Sequence, residues 1–294
     1  MPELPDVVVY IERLEARLLG GRLERVRLAS PWVLRTFDPA PSVVEGRRVT
    51  GFRRIGKRIV FELEDSLFIT IHLMVAGRLR WRDPGAAIPK KRGLAAFDFA
   101  SGTVLLTEEG TKKRASVHIV RGEESLAEHD RGGVEPLEMT LDQLTNALQR
   151  ERHTLKRSLT DARLISGIGG AYADEIMHRA GVSPITRTDR LDAHQIARLH
   201  GAIVDVLRQW TDRLRSEVGD GFPEKVTAFH GAMAVHGKFG SDCPVCGSPV
   251  QRIVYASNET NYCPGCQTDG TILADRSLSR LLKEDFPRTL EELE

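Results

Sequence analysis

The sequence has 294 residues, 41% of them hydrophobic, and a formal net charge of only +1. This composition supports a sizeable core in about two domains, and the absence of a strong basic excess argues mildly against nucleic-acid binding. The longest apolar stretch, 67–77, is interrupted by Thr70 and His72 and is too short to span a membrane. Because the N-terminus also lacks a signal-peptide pattern, we expect a cytoplasmic protein with no membrane partner.

The chain begins with MPELPD, in which a proline follows the initiator methionine. Proline at this position permits removal of Met1, which would leave the secondary amine of Pro2 beside the carboxylate of Glu3. An α-amino group titrates near pH 8, so more of it is unprotonated at neutral pH than of a lysine side chain. The first residues are therefore either a reactive amine or only a stiff end.

The segment 6–21, DVVVYIERLEARLLGG, predicts one amphipathic helix that is ended by its two glycines. Its predicted apolar stripe consists of Val8, Ile11, Leu14 and Leu18.

From Val26 to about Val120, short runs rich in valine, isoleucine and phenylalanine alternate with glycine, proline and aspartate breaks. Several short strands joined by tight turns are typical of an antiparallel sandwich or barrel. Within them, the stretch 47–58 carries six positive charges and no negative one. A charge run is usually a solvated face, so charge alone does not assign it a phosphate-binding role.

From Thr140 the hydrophobic period becomes that of helices. The connection between two of them carries Gly167, Gly169 and Gly170. A glycine-rich turn just before a helix can expose backbone amides to a phosphate, although such a turn is more often a plain connection.

The four cysteines of the chain form two CxxC pairs with sixteen residues between them. The pairs are Cys243 with Cys246 and Cys263 with Cys266. This spacing predicts one structural zinc ion with four thiolate ligands, whereas disulfides are not expected in a reducing cytoplasm. The sequence between the pairs predicts a hairpin whose turn spans 257–260.

These patterns predict an α+β chain in four parts. They are a β-rich domain with a leading helix over 1–135, a helical domain over 136–238, a zinc finger over 239–270 and an extension over 271–294. In the extension, we expect Leu278, Leu281 and Leu282 to pack a short amphipathic helix on the body of the protein.

Five motifs in order resemble the formamidopyrimidine-DNA glycosylase and endonuclease VIII family. They are MPELPD, Lys57 in RRIGKR, GVEPL from Gly133, GIGGAYADE from Gly167 and VHGKFGSDCPVCG before the zinc pairs. The resemblance spans nearly the whole chain. It implies a β-sandwich domain, a helix-two-turns-helix domain, a zinc finger, and repair of damaged bases in double-stranded DNA.

The resemblance also implies a DNA glycosylase that is an abasic-site lyase. Attack by the Pro2 amine on sugar C1′ would give an iminium ion, which is an electron sink for elimination of the 3′ phosphate. Glu3 would move the protons, and Lys57 would approach the sugar and phosphate of the target nucleotide. Without the resemblance, Lys57 is better interpreted as a surface lysine in a basic turn.

Two expected DNA contacts depart from the family pattern. The family offers an asparagine to a phosphate where this chain has Gly170, which leaves only backbone donors. The family places an arginine five residues before the third cysteine, where this chain has Asn258. Asparagine still donates hydrogen bonds but lacks the charge and the bidentate fork.

In the family, wedge residues fill the space that is left when the damaged base is extruded from the duplex, and these residues also differ in this chain. Either Met74 or Val75 would take this role, and we expect only one of them to point into DNA because strand neighbours face opposite sides. A second wedge, arginine and phenylalanine in some members, falls where this chain has Lys113 and Arg114 without an aromatic residue.

These departures suggest a divergent member that acts on oxidised pyrimidines, ring-opened purines, abasic sites or single-stranded lesions. We expect a monomer, with base preference set by the loop 217–228. Two alternatives are a catalytically idle DNA-damage-binding protein on the same scaffold and a zinc-ribbon module for RNA or protein. The retained Pro2 and Glu3 favour the enzyme, because neither is needed to fold or to bind.

Overall fold

The computed structural model describes residues 1–110, 112–255, 258–274, 281 and 286–293. The helices are α1 Leu4–Leu18, α2 Glu123–Ala127, α3 Leu141–Gln149, α4 Leu155–Thr160, α5 Gly170–Ala180, α6 Ala193–Val218 and α7 Pro264–Gln267. The strands are β1 Leu23–Leu28, β2 Val49–Ile55, β3 Arg58–Leu63, β4 Leu67–His72, β5 Gly77–Arg82, β6 Gly93–Phe99, β7 Gly102–Glu108, β8 Ser116–Arg121, β9 Gln251–Tyr255 and β10 Asn258–Tyr262. Across these ranges, no helix has the length and apolar character that crossing a membrane requires.

The chain divides into two compact units. Unit 1 comprises Met1–Arg131 and Gln209–Thr227, and unit 2 comprises Gly132–Arg208 and Ala228–Glu294. Helix α6 therefore contributes residues to both units. Because unit 1 also includes the end of α6 and the chain that follows it, this unit is assembled from two separate stretches of the sequence.

Unit 1 is a β-sandwich of two antiparallel four-stranded sheets. One sheet has the strand order β1-β6-β7-β5 and the other has the order β2-β3-β4-β8. Their inner faces share one hydrophobic core, in which the rings of Phe61 and Phe97 lie 5.9 Å apart. The predicted sandwich is confirmed.

Helix α1 packs on the sandwich core along one side. Its buried core residues are Val7, Tyr10, Leu14 and Leu18, and Ile11 packs beside them. Val8 is only half-buried and lies outside this core, so its predicted place on the stripe is wrong. Residues seven apart lie on one face of a helix, so Val7 lies on the same face as the buried Leu14. Val8 is rotated from Val7 by about 100° around the helix axis.

Unit 2 contains the helix-two-turns-helix region and the zinc hairpin. Thr140 caps α3, because its hydroxyl accepts from the Gln143 N–H, which explains why the helical period begins there. Helices α4 and α5 follow, joined by the glycine-rich connection, and β9 pairs with β10 after the first cysteine pair.

Two predictions about the end of the chain need correction. The hairpin turn was expected over 257–260, but β10 already begins at Asn258, whose partner is Tyr255. Leu281 is 77% exposed, so its predicted packing on the body of the protein is wrong. The other two leucines of that predicted helix, Leu278 and Leu282, lie outside the described residues.

Candidate functional site

Three connections of unit 1 lie side by side at one end of the sandwich. These connections are the β2–β3 turn, the β4–β5 loop and the β7–β8 loop. Each of them adjoins a residue that pairs with a residue on a neighbouring strand of the same sheet. The pairs are Arg58 with His72, His72 with Ser116 and Gly77 with Glu108. Because paired residues of neighbouring strands lie next to each other, the sheet topology brings these three connections together.

The amino terminus of the chain belongs to the same end. Burial lowers the pKa of the Met1 amino group, and the neighbouring charges of Arg78 and Lys57 lower it further. The carboxylates of Glu3 and Asp6 act in the opposite direction. Two cations and two carboxylates therefore lie near a half-buried amine, an arrangement that suits nucleophilic and proton-transfer chemistry.

The backbone fixes Glu3 and Asp6 at the start of α1. Pro2 is buried, and Glu3 is only 3% exposed. The backbone N–H of Glu3 donates to Asp6 Oδ2 over 2.8 Å. Burial raises the pKa of Asp6 to about 7. Burial lowers the pKa of Lys57, whereas the negative charge of Glu3 raises it. The structure thus brings the three predicted catalytic residues, Pro2, Glu3 and Lys57, to one place.

The predicted wedge residues lie in the β4–β5 loop rather than on a strand. Val75 is 62% exposed, whereas Met74 is half-buried with a positive φ of 53°. The expectation that they alternate as strand neighbours is wrong, because β4 ends at His72 and the chain turns there into the other sheet. The Met74 N–H donates to His72 Nδ1 over 3.0 Å. Burial, with help from nearby Arg58, lowers the pKa of His72 to about 4, which keeps this ring neutral.

A buried glutamate organises the neighbouring β7–β8 loop. Glu108 is 2% exposed, and its Oε2 accepts from the backbone N–H groups of Arg114 and Ala115 at 2.8 and 3.1 Å. The Lys113 ammonium group donates to the Glu108 carbonyl oxygen, and both Lys113 and Arg114 are exposed. The two loops also contact each other directly, since the backbone N–H at position 109 donates to the Ala76 carbonyl oxygen over 3.3 Å.

Arginines of β5 hold the loop that was expected to set base preference. Arg78 donates through Nε to the Val226 carbonyl oxygen over 2.8 Å. Arg80 and Arg82 both donate to the carboxylate of Glu224, at 2.7 and 2.8 Å. Sequence reasoning missed these arginines, although their spacing of two places them on one face of a strand and was a usable signal.

In unit 2, the predicted DNA contacts lie on α5 and β10. Gly170 is the first residue of α5, and a Cβ added there would meet no atom within 4 Å, so the position is open. Asn258 is the exposed first residue of β10. The Lys156 ammonium group joins the two elements, because it lies 2.8 Å from Asp174 Oδ1 and donates to the Glu259 carbonyl oxygen over 2.7 Å.

A second buried glutamate, Glu175 of α5, holds the segment before the zinc cysteines. Its carboxylate accepts from the backbone N–H groups of Ala234, Val235 and His236 at 2.8, 2.9 and 3.0 Å. The side chain is 6% exposed. Sequence reasoning missed this role because the glutamate and the amides it binds lie about sixty residues apart.

The four cysteines converge as a zinc site requires. Sγ of Cys246 lies 3.3 Å from Sγ of Cys263, and Sγ of Cys243 lies 3.9 Å from Sγ of Cys266. With zinc–sulfur bonds of about 2.3 Å, the edge of a tetrahedron is about 3.8 Å. The residues therefore fit one structural zinc ion, which would tie the two ends of the β9–β10 hairpin together. The predicted cofactor is confirmed, and a fifth side chain, His178, lies beside it with Nε2 3.3 Å from Sγ of Cys243.

Comparison with known protein families finds three matches in order along the chain. Residues 1–114 match the formamidopyrimidine-DNA glycosylase N-terminal domain. Residues 133–217 match the H2TH domain of the same glycosylase, and residues 240–268 match a zinc finger found in FPG and IleRS. Together these matches include parts of both units and the zinc hairpin.

Individual relatives and solved structures agree with these matches. A formamidopyrimidine-DNA glycosylase of Acidovorax sp. is 31% identical over 283 residues, which cover 91% of this chain and 99% of the relative. An uncharacterised formamidopyrimidine-DNA glycosylase-like protein of Mycobacterium tuberculosis is 39% identical over 151 residues, which cover 51% of this chain and 94% of that protein.

Among solved structures, a Lactococcus lactis Fpg bound to DNA with an oxidised pyrimidine superimposes with a TM-score of 0.78 at 26% identity, covering 91% of this chain and all of that one. A mutant of the same enzyme bound to Fapy-dG DNA gives a TM-score of 0.78 at 25% identity with the same coverage. The ordered domain matches and the near-complete Acidovorax alignment show that the chain belongs to the formamidopyrimidine-DNA glycosylase family.

Proposed function

We propose that the protein is a DNA glycosylase that removes damaged bases and cleaves the resulting abasic site. The observation that carries the proposal is the half-buried amino terminus, which lies among the charges of Glu3, Asp6, Lys57 and Arg78. Family membership supports the same reading, because the Acidovorax relative is named a formamidopyrimidine-DNA glycosylase and the Lactococcus enzyme is bound to damaged DNA.

The nucleophile of the proposed reaction is Pro2 after removal of Met1. In the structure Met1 occupies this end of the chain, and burial lowers the pKa of its amino group. Once Met1 is removed, the amine of the buried Pro2 would lie among the same charges, so a larger fraction of it would be unprotonated at neutral pH. The nitrogen lone pair forms a bond to C1′ while the bond from C1′ to the base breaks. The base leaves with the electron pair of the broken bond to C1′ and takes up a proton.

Glu3 and Lys57 assist the later steps. Glu3 accepts the proton of the attacking amine and delivers a proton to the sugar ring oxygen as the ring opens, which leaves an iminium ion between Pro2 and C1′. Glu3, which is then a carboxylate again, takes a C2′ proton, and the electrons of that C–H bond form a C2′–C3′ double bond as the 3′ phosphate leaves with the electron pair of its bond to C3′. Lys57 supplies a positive charge beside the sugar and phosphate, where negative charge develops.

The loops at the same end would receive the duplex. Val75 is the exposed member of the wedge pair and enters the space left by the base, whereas Met74 supports the loop from below. Lys113 and Arg114 contact DNA from the adjacent loop. In unit 2, the backbone at Gly170 and the side chain of Asn258 bind phosphates. We further propose that the protein acts as a monomer in the bacterial cytoplasm.

Borohydride trapping tests the proposed chemistry. The protein, with Met1 removal established by intact mass, is incubated with an abasic-site duplex and borohydride. We expect a covalent adduct in the wild type, at least a 100-fold loss of it in Pro2→Gly, and no loss in Pro84→Gly, which alters an exposed proline elsewhere in unit 1.

Three other outcomes would contradict the proposal. Retention of Met1 on the folded protein would block the amine. Tight binding of the abasic duplex without any adduct would indicate an idle damage-binding protein. Equal affinity for RNA, intact duplex and abasic duplex would indicate a zinc-ribbon binding module. A panel of lesion-bearing oligonucleotides, assayed separately for base release and strand cleavage, then identifies the preferred damaged base.

A further inference from the structure

The zinc region of unit 2 brings together five metal-ligating side chains, one more than a tetrahedral ion needs. Besides the four cysteines, the imidazole of His178 lies at the site. The ligand atoms of His178, Cys243, Cys263 and Cys266 all lie within 4.8 Å of one another. Three thiolates and one imidazole form an ordinary ligand set for structural zinc. We propose that His178 is a reserve zinc ligand, which completes the tetrahedron when the Cys246 thiolate is lost.

The distance from His178 to the thiolates already suits coordination. Its Nε2 lies 3.3 Å from Sγ of Cys243. In a tetrahedral site with zinc–sulfur bonds of about 2.3 Å and zinc–nitrogen bonds of about 2.0 Å, the nitrogen–sulfur edge is about 3.5 Å. The spacing of Nε2 from the thiolates would therefore let His178, Cys243, Cys263 and Cys266 together hold a zinc ion. The neutral imidazole presents its Nε2 lone pair when its proton is on Nδ1.

Burial identifies Cys246 as the ligand that His178 replaces. Cys246 is exposed, whereas Cys243 and Cys263 are buried at 2% and 0% exposure. His178 itself is 8% exposed. The thiolate most open to oxidation or alkylation is thus the one that the Cys3His set does not use. While all four thiolates bind, the tautomer with its proton on Nε2 would let His178 donate to the Cys243 sulfur.

The backbone holds His178 ready for this role. It lies in the last turn of α5, and the same helix carries Glu175, whose carboxylate accepts from three backbone N–H groups just before Cys243. The helix and the first cysteine are therefore linked independently of the metal. Loss of one thiolate leaves this link intact, so the imidazole stays in place.

Zinc content and ligand spectroscopy test the proposal on the full-length protein, independently of any DNA activity. After dialysis against a chelator that leaves the wild type with one zinc ion, we expect Cys246→Ala and His178→Asn each to retain one ion. The double variant is expected to lose it. X-ray absorption of zinc-loaded Cys246→Ala should show three sulfurs at about 2.3 Å and one imidazole nitrogen at about 2.0 Å.

Two outcomes would overturn the proposal. The first is equal loss of zinc from Cys246→Ala and from the double variant, because His178 would then add nothing to retention. The second is an absorption spectrum of Cys246→Ala with no imidazole scattering, which would place water in the fourth position. The spectrum of the single variant decides the matter even where the double variant fails to fold, and wild type and His178→Asn serve as the four-sulfur references.

Discussion

Two segments of the molecule, one in each unit, are held by a buried glutamate that accepts backbone N–H groups. In unit 1, Glu108 binds two amides that follow it by six and seven residues. In unit 2, Glu175 binds three amides that follow it by 59 to 61 residues. The first carboxylate shapes a local loop, whereas the second joins a helix to a distant segment that leads into the zinc site.

The same chemical device therefore provides local order in unit 1 and long-range order in unit 2. Removal of Glu108 should loosen one loop, because β7 and β8 on either side are held by their own sheet ladders. Removal of Glu175 should disconnect two elements of unit 2. Substitution of each buried carboxylate can break or sharpen this contrast, and Asp6 provides an intermediate case.

The largest effect is expected from Glu175→Ala. Three buried backbone donors lose their acceptor, which should lower the free energy of unfolding of unit 2 by about 4 kcal/mol. The exposed Glu138 of the same unit provides the control, since Glu138→Ala should change it by less than about 0.5 kcal/mol. Hydrogen exchange at residues 234–236 together with denaturant unfolding measures both. Equal protection of these amides in the two variants would show that the carboxylate does not hold the segment.

The next effect is a pH dependence from Asp6. Its pKa is about 7 in the folded chain against an ordinary value of 3.8, so the folded state binds more protons between these values. Its contribution to stability is complete below about pH 4 and is lost as the pH rises through 7, with a total of about 4 kcal/mol at most.

Asp6→Asn isolates this contribution, because asparagine keeps an oxygen that accepts from the Glu3 N–H. We expect the wild type to lose stability relative to Asp6→Asn as the pH rises from 4 to 8, measured by denaturant unfolding. The depressed pKa values of His72 and His118, both about 4, act in the opposite direction but are common to the two proteins. Parallel pH profiles would mean that Asp6 is ionised in the folded state.

The smallest effect compares two adjacent glutamates at the end of β7. Glu108→Ala leaves two amides without an acceptor and should cost about 2 kcal/mol. Glu109→Ala removes only exposed ion pairs with Arg80 and Arg92 and should cost less than about 1 kcal/mol. Thermal unfolding gives the stabilities, and limited proteolysis reports the order of the loop. A larger loss in Glu109→Ala would contradict the role assigned to the buried carboxylate.

Sequence patterns predicted the features that rest on local spacing. The sandwich, the helical region and the four-cysteine zinc site follow from periodicity and from paired CxxC motifs, and each is confirmed. The zinc site was predictable because two ligands three residues apart report a tight turn whatever surrounds it. The pairing of strands that brings Lys57 beside the amino terminus has no such local sign.

The errors share a physical cause. Met74 and Val75 were expected to be neighbours on a strand, but the chain changes sheets after His72, and apolar content does not record which sheet a residue joins. Val8 was placed on the helix stripe although Val7 is the buried neighbour, since five successive apolar residues, 7–11, leave the helix phase undetermined. The role of Glu108 could not be predicted from the sequence, because a glutamate at the end of a strand is normally expected to be exposed to solvent.

Unit 1 is built from two separate stretches of the chain, so its first stretch is synthesised long before the second. Helix α1 completes its packing with residues made much later, because Tyr10 meets the ring of Phe222 at 5.7 Å and Glu12 pairs with Arg215 at 2.7 Å. Arg17 likewise donates to the carbonyl oxygen of Asp220 over 2.6 Å. On the ribosome, the beginning of the chain must therefore wait for about two hundred further residues before this side is covered, and a fragment that ends at residue 131 would leave it open to aggregation.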